Sequence, residues 1–327
     1  MSPQQQTVEP KRGVRTVGLF PGQGSQYPGM GWRLFSESAA ARGMMACAEE
    51  ALGLRFSRTM FDGTEEELQR TENASAAIFV DSLMAFRAFR DAGGGLDAVS
   101  GHSLGQYAAL CAAGVFGFEE GVRLVRRRGE LLARATARAP GLTCAVLGLE
   151  VEGVQRAVER ASSLGVVVMA NYNSPRQMVV SGEKAPVEEA LRIALELGAR
   201  KVVPLRVCGA FHSPLMASVV EELREALSAV EFRDPSVPVI DSVSGRVETS
   251  GEALRESMAA QPTTPVRWMS CAEHMREMEM RFGVELGPGR VLAGLMRYNL
   301  PELRVVGVES AEEARRAACL QQGVLDG

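Results

Sequence analysis

The chain has 327 residues, of which 46% are hydrophobic and 23% charged, a balance typical of folded globular proteins that excludes wholesale disorder. Its net charge of −4 argues against a nucleic-acid-binding protein, because such proteins are usually basic. No segment has the roughly 18 consecutive apolar residues of a membrane span. The polar N-terminus also lacks the apolar core of a secretion signal. We therefore expect a cytoplasmic protein.

The six cysteines are scattered and form no CxxC pair, so the sequence predicts reduced thiols rather than a disulfide framework or a metal site. In chain order, the first 138 residues alternate short apolar strands with helical segments. Glycine-rich turns follow both strands. The predicted elements are strand Val14–Phe20, mainly helix over 31–92, strand Leu96–Ser100, helix Leu104–Ala113 and a helix from Gly117 to about Arg138. This alternation predicts an α/β domain.

The following 70 residues have the order β-α-β-β-α-β, which is typical of a small ferredoxin-like domain. The elements are Leu142–Leu147, Val151–Ala161, Val166–Ala170, Gln177–Ser181, Pro186–Leu197 and Lys201–Val207. Helices and the strands Val237–Ile240, Phe282–Leu286 and Leu303–Val308 come after them. We predict a discontinuous large α/β domain over 14–138 and 208–310, with a small domain inserted at 139–207. The ends, 1–13 and 311–327, are predicted to be flexible or peripheral.

The pentapeptide 101–105, Gly-His-Ser-Leu-Gly, is a G-x-S-x-G motif between a predicted strand and a predicted helix. This is the setting of a nucleophile elbow, in which a sharp turn exposes the serine at a helix N-terminus. The free N–H groups and the helix dipole there stabilise negative charge. Ser103 is therefore the candidate nucleophile, and an ordinary glycine-rich turn is the alternative.

A serine nucleophile needs a base, and the chain has only three histidines. His102 adjoins the serine, where neighbouring side chains diverge, and we interpret it as structural. His274 lies in a charged stretch typical of an exposed helix face. His212 follows the return from the inserted segment to the large domain, where loops often line a cleft. His212 is the strongest candidate, with a non-catalytic loop histidine as the alternative.

Two further segments are candidates for substrate contacts. The turn at 22–26, Gly-Gln-Gly-Ser-Gln, lacks the spacing and the lysine of nucleotide-binding loops, but it can offer a backbone N–H to a neighbouring site. Arg126, Arg127 and Arg128 are consecutive on a predicted helix and must point in different directions. Two of them are expected on a solvated face, and one is a candidate for a buried clamp that binds a carboxylate through its planar fork.

Taken together, these motifs resemble the acyl-carrier-protein S-acyltransferase family. That family includes stand-alone malonyl-CoA:acyl carrier protein transacylases and the acyltransferase domains of polyketide synthases. The resemblance runs from about Thr16 to Val308. It rests on the segments Leu19–Gln26, Gly101–Tyr107, Arg128-Gly129, Asn171–Pro175, Phe211–Met216 and Gly287–Gly289, in the family's order.

The resemblance implies a large hydrolase-like α/β domain with an inserted ferredoxin-like domain. It implies Ser103 as the nucleophile and His212 as its base. In place of a carboxylate, a backbone carbonyl orients the histidine, and Gln261 matches that position. The remaining positions that match are the oxyanion-hole N–H groups of Gln23 and Leu104, the carboxylate-binding Arg128, and the substrate-pocket residues Phe211, Gln106 and Asn173.

The implied activity is transfer of a malonyl group from CoA to the phosphopantetheine thiol of an acyl carrier protein, through an ester on Ser103. The pathway is fatty-acid or polyketide synthesis, polyketide synthase modules are possible partners, and no cofactor or metal is implied. The alternative is an acyl hydrolase of the same fold that clears acyl groups from carrier proteins, against which Arg128 counts. An acidic carrier would need a local basic patch, for which Arg176, Lys201, Arg206, Arg290 and Arg297 are candidates.

Overall fold

A computed structural model describes residues 14–205 and 209–323. A six-stranded sheet forms the centre of the larger part, with strand order β10-β9-β1-β2-β7-β8. All its pairs are parallel except β7–β8. The strands are β1 (Thr16–Phe20), β2 (Ala98–Gly101), β7 (Val239–Asp241), β8 (Arg246–Glu248), β9 (Phe282–Leu286) and β10 (Arg304–Val308).

Helices cover both faces of this sheet, which explains why β1, β2 and β9 are short apolar runs that are buried throughout. The helices of the larger part are α1 (Trp32–Glu37), α2 (Ala39–Leu52), α3 (Phe56–Phe61), α4 (Glu65–Gln69), α5 (Thr71–Asp91), α6 (Gly105–Ala112), α7 (Phe118–Arg138), α10 (Val220–Ser228), α11 (Gly251–Ala260), α12 (Trp268–Glu277), α13 (Val291–Asn299) and α14 (Ala311–Gln321).

The segment between α7 and α10 forms a second, four-stranded antiparallel sheet with order β4-β5-β3-β6. Its elements are β3 (Leu142–Leu147), α8 (Val151–Ala161), β4 (Val167–Ser174), β5 (Gln177–Gly182), α9 (Lys184–Glu196) and β6 (Lys201–Pro204). Helices α8 and α9 cover one face of the sheet and enclose a separate apolar core. This is the predicted ferredoxin-like order, and the predicted α/β fold class is confirmed.

The structure corrects several predicted bounds. Residues 311–321 form helix α14, which packs on α5 and buries Ala317 and Ala318 in the main core, so the prediction of a flexible or peripheral end is wrong there. Its Gln321 also donates hydrogen bonds to Thr16 Oγ1 and to the Gly95 carbonyl. Strand β6 ends at Pro204 rather than at 207, and β8 was not predicted. The predictions for 1–13, Arg206, Cys208 and 324–327 lie outside the described residues.

Within the described residues, no helix is long and apolar enough to cross a membrane. The same residues contain no cluster of three or more His, Cys, Asp and Glu side chains that could hold a metal ion. Cys47, Cys111, Cys144, Cys271 and Cys319 are all free thiols.

Candidate active site

Ser103 lies on a sharp turn between the end of β2 and the start of α6. Its φ of 52° is in the left-handed region, which is uncommon for a residue other than glycine and is often found at functional sites. The turn also requires Gly105, because a Cβ atom there would lie 2.0 Å from the Phe20 carbonyl oxygen. The strand–turn–helix arrangement is that of a nucleophile elbow, and it raises the serine hydroxyl above the sheet.

The His212 ring lies beside this hydroxyl, with Nε2 2.7 Å from Ser103 Oγ. Like the serine, His212 has a positive φ, here 58°. Its other ring nitrogen, Nδ1, lies 3.0 Å from the Gln261 carbonyl oxygen and 2.9 Å from that of Thr264. Sequence reasoning identified Gln261 but missed Thr264, which no motif distinguishes.

The two carbonyl oxygens determine the tautomer of His212, because a carbonyl can only accept a hydrogen bond. Nδ1 must therefore carry the proton, which leaves a lone pair on Nε2 facing the serine hydroxyl. Burial, helped by the nearby positive charge of Arg128, lowers the pKa of His212 to about 4. The imidazole is consequently neutral at physiological pH and able to accept a proton.

Arg128 is 2% exposed and projects from α7 towards the same place. Its Nε donates to the Gln261 side-chain oxygen at 3.2 Å, and its Cζ atom lies 5.6 Å from the centroid of the Tyr107 ring. Nη1 is buried and has no hydrogen-bond partner in residues 14–205 and 209–323. No carboxylate of the described residues pairs with this guanidinium, and burial lowers the pKa of Arg128. The side chain is therefore a buried cation that can bind an anion.

The neighbouring arginines are on the solvated side, as expected. Arg126 bonds Glu130 and Asn73, and Arg127 bonds Glu222.

These groups open onto a cavity of about 420 Å³ between the two sheets. The large domain contributes the turn at 22–25, the elbow, Arg128, the loop at 211–212 and one side of α13. The small sheet contributes its open face and the end of β6. The lining includes Phe211 and Asn173, as predicted for the substrate pocket, and also Thr143, Ala145, Asn171, Gln177, Val179, Val203, Leu205 and Leu295, which sequence reasoning missed. These residues carry no motif, because only the sheet pairing brings them to the cleft.

The predicted oxyanion-hole residues, Gln23 and Leu104, lie on two sequence-distant turns that pack against each other. Gln23 lines the cavity, and the turn that carries it packs on the elbow, since a Cβ atom at Gly22 would lie 2.3 Å from the His102 carbonyl oxygen. Leu104 precedes the first turn of α6. Within the described residues, the backbone N–H groups of Gln23 and Leu104 donate to no other group. Both amides are thus available to a ligand.

One predicted pocket residue is elsewhere. Gln106 is fully buried behind the elbow and does not line the cavity. Its Oε1 accepts hydrogen bonds from the Gly101 N–H at 3.2 Å and from Ser242 Oγ at 3.4 Å. The physical reason is the helix itself: Gln106 is on the face of α6 that packs on the sheet, so it braces the turn rather than contacting the cavity.

The other two histidines also have partners. His102 Nε2 lies 2.8 Å from Asn173 Oδ1, and its ring packs on Trp268. This contact joins the elbow to β4 of the small sheet. His274 is on α12, where its Nδ1 lies 2.8 Å from Glu277 Oε2 at the surface.

Comparisons with known proteins agree with this geometry. The family model described as "Acyl transferase domain" matches residues 17–323. The malonyl CoA-acyl carrier protein transacylase of Bacillus subtilis is 38% identical over 295 residues, which cover 90% of this chain and 93% of the relative. The solved structure of the malonyl CoA-acyl carrier protein transacylase from Coxiella burnetii has a TM-score of 0.91 at 30% identity, covering 94% of this chain and 97% of that one.

A malonyl-transacylase solved in complex with its type II PKS acyl-carrier protein has a TM-score of 0.90 at 34% identity, covering 93% of this chain and 99% of that one. The model match spans most of the chain, and the relatives are covered almost completely. The chain belongs to the acyl transferase domain family, the family that its motifs resemble.

Proposed function

We propose that the protein transfers a malonyl group from malonyl-CoA to the phosphopantetheine thiol of an acyl carrier protein. The observation that carries this conclusion is the buried guanidinium of Arg128, which has no carboxylate partner among the described residues and lines the same cavity as the Ser103–His212 pair. Leaving a buried cation unpaired is costly, so the cavity is built for an acyl group that brings its own negative charge. Malonyl is such a group, and the curated relatives are named for it.

In the first half-reaction, His212 Nε2 accepts the proton of Ser103 Oγ as the hydroxyl attacks the thioester carbonyl. The carbonyls of Gln261 and Thr264 hold the ring and stabilise the imidazolium that forms, the role that a carboxylate plays in a Ser-His-Asp triad. The N–H groups of Gln23 and Leu104 bind the developing oxyanion. One such donor is typically worth about 3–4 kcal/mol of transition-state stabilisation.

The tetrahedral intermediate collapses when the C–S bond breaks and His212 gives its proton to the departing CoA thiolate. A malonyl ester remains on Ser103. In the second half-reaction, the carrier's phosphopantetheine thiol loses its proton to His212 and attacks the ester, and the serine oxygen recovers the proton as it leaves. Both half-reactions use one site, and CoA leaves before the carrier thiol attacks the ester, so the kinetics are ping-pong.

Arg128 determines which acyl groups react well. The malonyl carboxylate pairs with the guanidinium, whereas an acetyl group leaves the cation unpaired. A site rejects a substrate that leaves a buried polar group unpaired more strongly than one that differs only in apolar size. Phe211, which lines the cavity, further favours an acyl group without a substituent on its α-carbon. No cofactor takes part in this scheme, and no metal is assigned a role.

The carrier protein is expected to be acidic, and the structure separates the candidate docking cations. Arg290 is paired with Glu309 at 2.7 Å and Glu313 at 3.1 Å, and Arg176 with Glu150 at 2.7 Å. Lys201 and Arg297 are exposed and have no acidic partner among the described residues. They are on β6 and α13, elements that also line the cavity. We propose that the carrier protein docks through these two residues. We also propose a cytoplasmic location, because free thiols such as those of this chain persist there.

Intact-mass analysis after mixing with malonyl-CoA tests the function. We expect a malonyl adduct that moves to the holo carrier protein when carrier is added. The adduct should be absent in Ser103→Ala. In Arg128→Ala we expect malonyl transfer to fall by about 100-fold or more, with acetyl transfer changed far less, because a hydrogen-bonded charge pair is lost only for malonyl.

The hydrolase alternative gains no support from the comparisons, whose named relatives are transacylases. It predicts a different outcome of the same experiment. If the ester on Ser103 were released to water as fast as to the carrier thiol, the transfer function would be wrong.

A further inference from the structure

Gln261 hydrogen-bonds all three site residues, Ser103 and Arg128 through its side chain and His212 through its backbone. Gln261 is fully buried and begins the short 3-10 helix Gln261–Thr263. Its Nε2 donates to the Ser103 carbonyl oxygen at 2.9 Å, and its Oε1 accepts from Arg128 Nε at 3.2 Å. Its backbone oxygen accepts from His212 Nδ1.

The amide can have only one orientation. Arginine Nε is a donor and a backbone carbonyl is an acceptor, so Oε1 must face Arg128 and Nε2 must face Ser103. This places the Nε edge of the guanidinium against Gln261, and no described residue hydrogen-bonds to the Nη1 end. A carboxylate in the cavity is therefore bound by the terminal nitrogens of Arg128.

The side chain and the backbone of Gln261 have separable roles. His212 Nδ1 has a second acceptor in the Thr264 carbonyl, and neither of its contacts involves the Gln261 amide group. The Ser103 carbonyl also accepts from the Gln106 N–H at 3.0 Å, within the elbow itself. For Arg128, by contrast, the Tyr107 side chain is the only other polar partner within the part of the chain that the structure describes. Loss of the amide therefore affects Arg128 most.

We propose that the Gln261 side chain is a positioning residue that sets the distance between the Arg128 fork and the Ser103 hydroxyl, and so selects a three-carbon dicarboxylic acyl group. This inference rests on the proposed malonyl transfer. A rigid spacing suits the carboxylate and the thioester carbonyl of malonyl, which are separated by one carbon. It places acetyl, which has no carboxylate, and succinyl, which is one carbon longer, at a disadvantage.

The variant Gln261→Met tests the proposal, since methionine keeps the volume and the backbone carbonyl but makes neither amide hydrogen bond. Single-turnover ester formation is measured with malonyl-, acetyl- and succinyl-CoA. We expect malonyl ester formation to fall by about 10- to 100-fold, the loss of a hydrogen bond to a charged group. Acetyl ester formation should change by less than about threefold. The succinyl-to-malonyl ratio should rise, and the pH profile should not move, because His212 keeps both acceptors.

Thr263→Val is the matched control. Thr263 is in the same short helix, and its hydroxyl donates only to the Ala260 carbonyl, so this variant should retain the wild-type substrate ratios. If Gln261→Met does not fold, Gln261→Asn, with a shorter amide, is measured for the same ratios.

Equal losses for all three substrates, or unchanged ratios, would overturn the proposal while leaving the function intact. A wild-type protein that forms no malonyl ester would instead contradict the proposed function.

Discussion

The two sheets face one cavity but are built on different principles. The six-stranded sheet is covered by helices on both faces, and its strand ends and nearby helices hold the proposed nucleophile, base and carboxylate clamp. In the four-stranded sheet, α8 and α9 cover one face, and β4 also contacts α12 and α13 of the large domain. Small residues occupy the other face, where Ala145 and Val179 line the cavity and Ala170 is fully buried.

This difference suggests that the two sheets contribute differently to stability and to chemistry. Positive φ angles at Ser103 and His212 persist only where the surrounding packing holds them, which a doubly covered sheet provides. The face of the small sheet that lines the cavity can change its side chains at a smaller cost in stability than the face packed under α8 and α9. Stability and chemistry should therefore respond together to changes in the large domain and separately to changes in the small one.

The largest expected effect is on the chemistry of the large domain. His212→Ala should lower malonyl transfer by about 10⁴-fold, because the general base is lost. In the wild type, acylation should be constant above about pH 5 and fall as the pH drops through about 4, where His212 becomes protonated. Stopped-flow acylation across pH measures both. An acylation rate that continued to rise well above pH 6 would contradict a base with so low a pKa.

The next effect concerns the packing that holds the elbow. In Gly105→Ala the added Cβ meets the backbone oxygens of Phe20 and Pro21 at 2.0 and 2.6 Å, and neither can move without disturbing β1. We expect a loss of stability of about 3 kcal/mol or more, together with loss of activity. In the control, Gly43→Ala on α2, the Cβ has no neighbour within 4 Å and should raise the free energy of unfolding by about 1 kcal/mol. Urea denaturation distinguishes the two.

A pair of adjacent residues on β5 tests the small domain directly. Val180 points into the apolar core under α8 and α9, whereas Val179 faces the cavity. Val180→Ala should cost about 2 kcal/mol of stability and leave the kinetics of the folded protein unchanged. Val179→Ala should cost less stability and change KM for malonyl-CoA. If both variants moved stability and KM together, the proposed division between the two faces would fail.

The last effect is a pH dependence of the stability of the large domain. Asp81 on α5 is buried and has no hydrogen-bond partner among the described residues, and this burial raises its pKa to about 8. Between about pH 4 and 8, the folded state keeps this proton while the unfolded state loses it, so stability decreases as pH rises across that window, by at most about 1.4 kcal/mol per pH unit. Asp81→Asn should flatten this slope in thermal melts. An identical slope in the variant would show that other groups cause it.

The sequence predicted best those features that depend on local pattern. Strands Leu142–Leu147 and Phe282–Leu286 are observed with the predicted bounds, because a short apolar run between turn residues is an unambiguous signal. The elbow was predicted for a similar reason, since its glycines are required by the turn.

Residues that meet only through tertiary packing were not predicted. The position of Thr264 depends on a β-bridge between Val266 and Asn171 of β4, and no local sequence pattern reveals this bridge. Gln106 was wrongly placed in the pocket because a motif gives a residue's neighbours in sequence but not the helix face that it occupies. Helix α14 was not predicted to join the core because its buried face is mostly alanine, which gives only a weak apolar pattern in the sequence. Its burial depends on packing against α5.

The uncompensated charge of Arg128 has a practical consequence for anyone handling the protein. The ligand-free enzyme should be held below its attainable stability by that cation, so small dicarboxylate anions should raise its melting temperature by mass action. Malonate or oxalate in a storage or crystallisation buffer would then act as a competitor of the substrate. Neutral or monovalent inorganic buffers are the safer choice for rate measurements, and short dianionic fragments are a rational starting point for inhibitors.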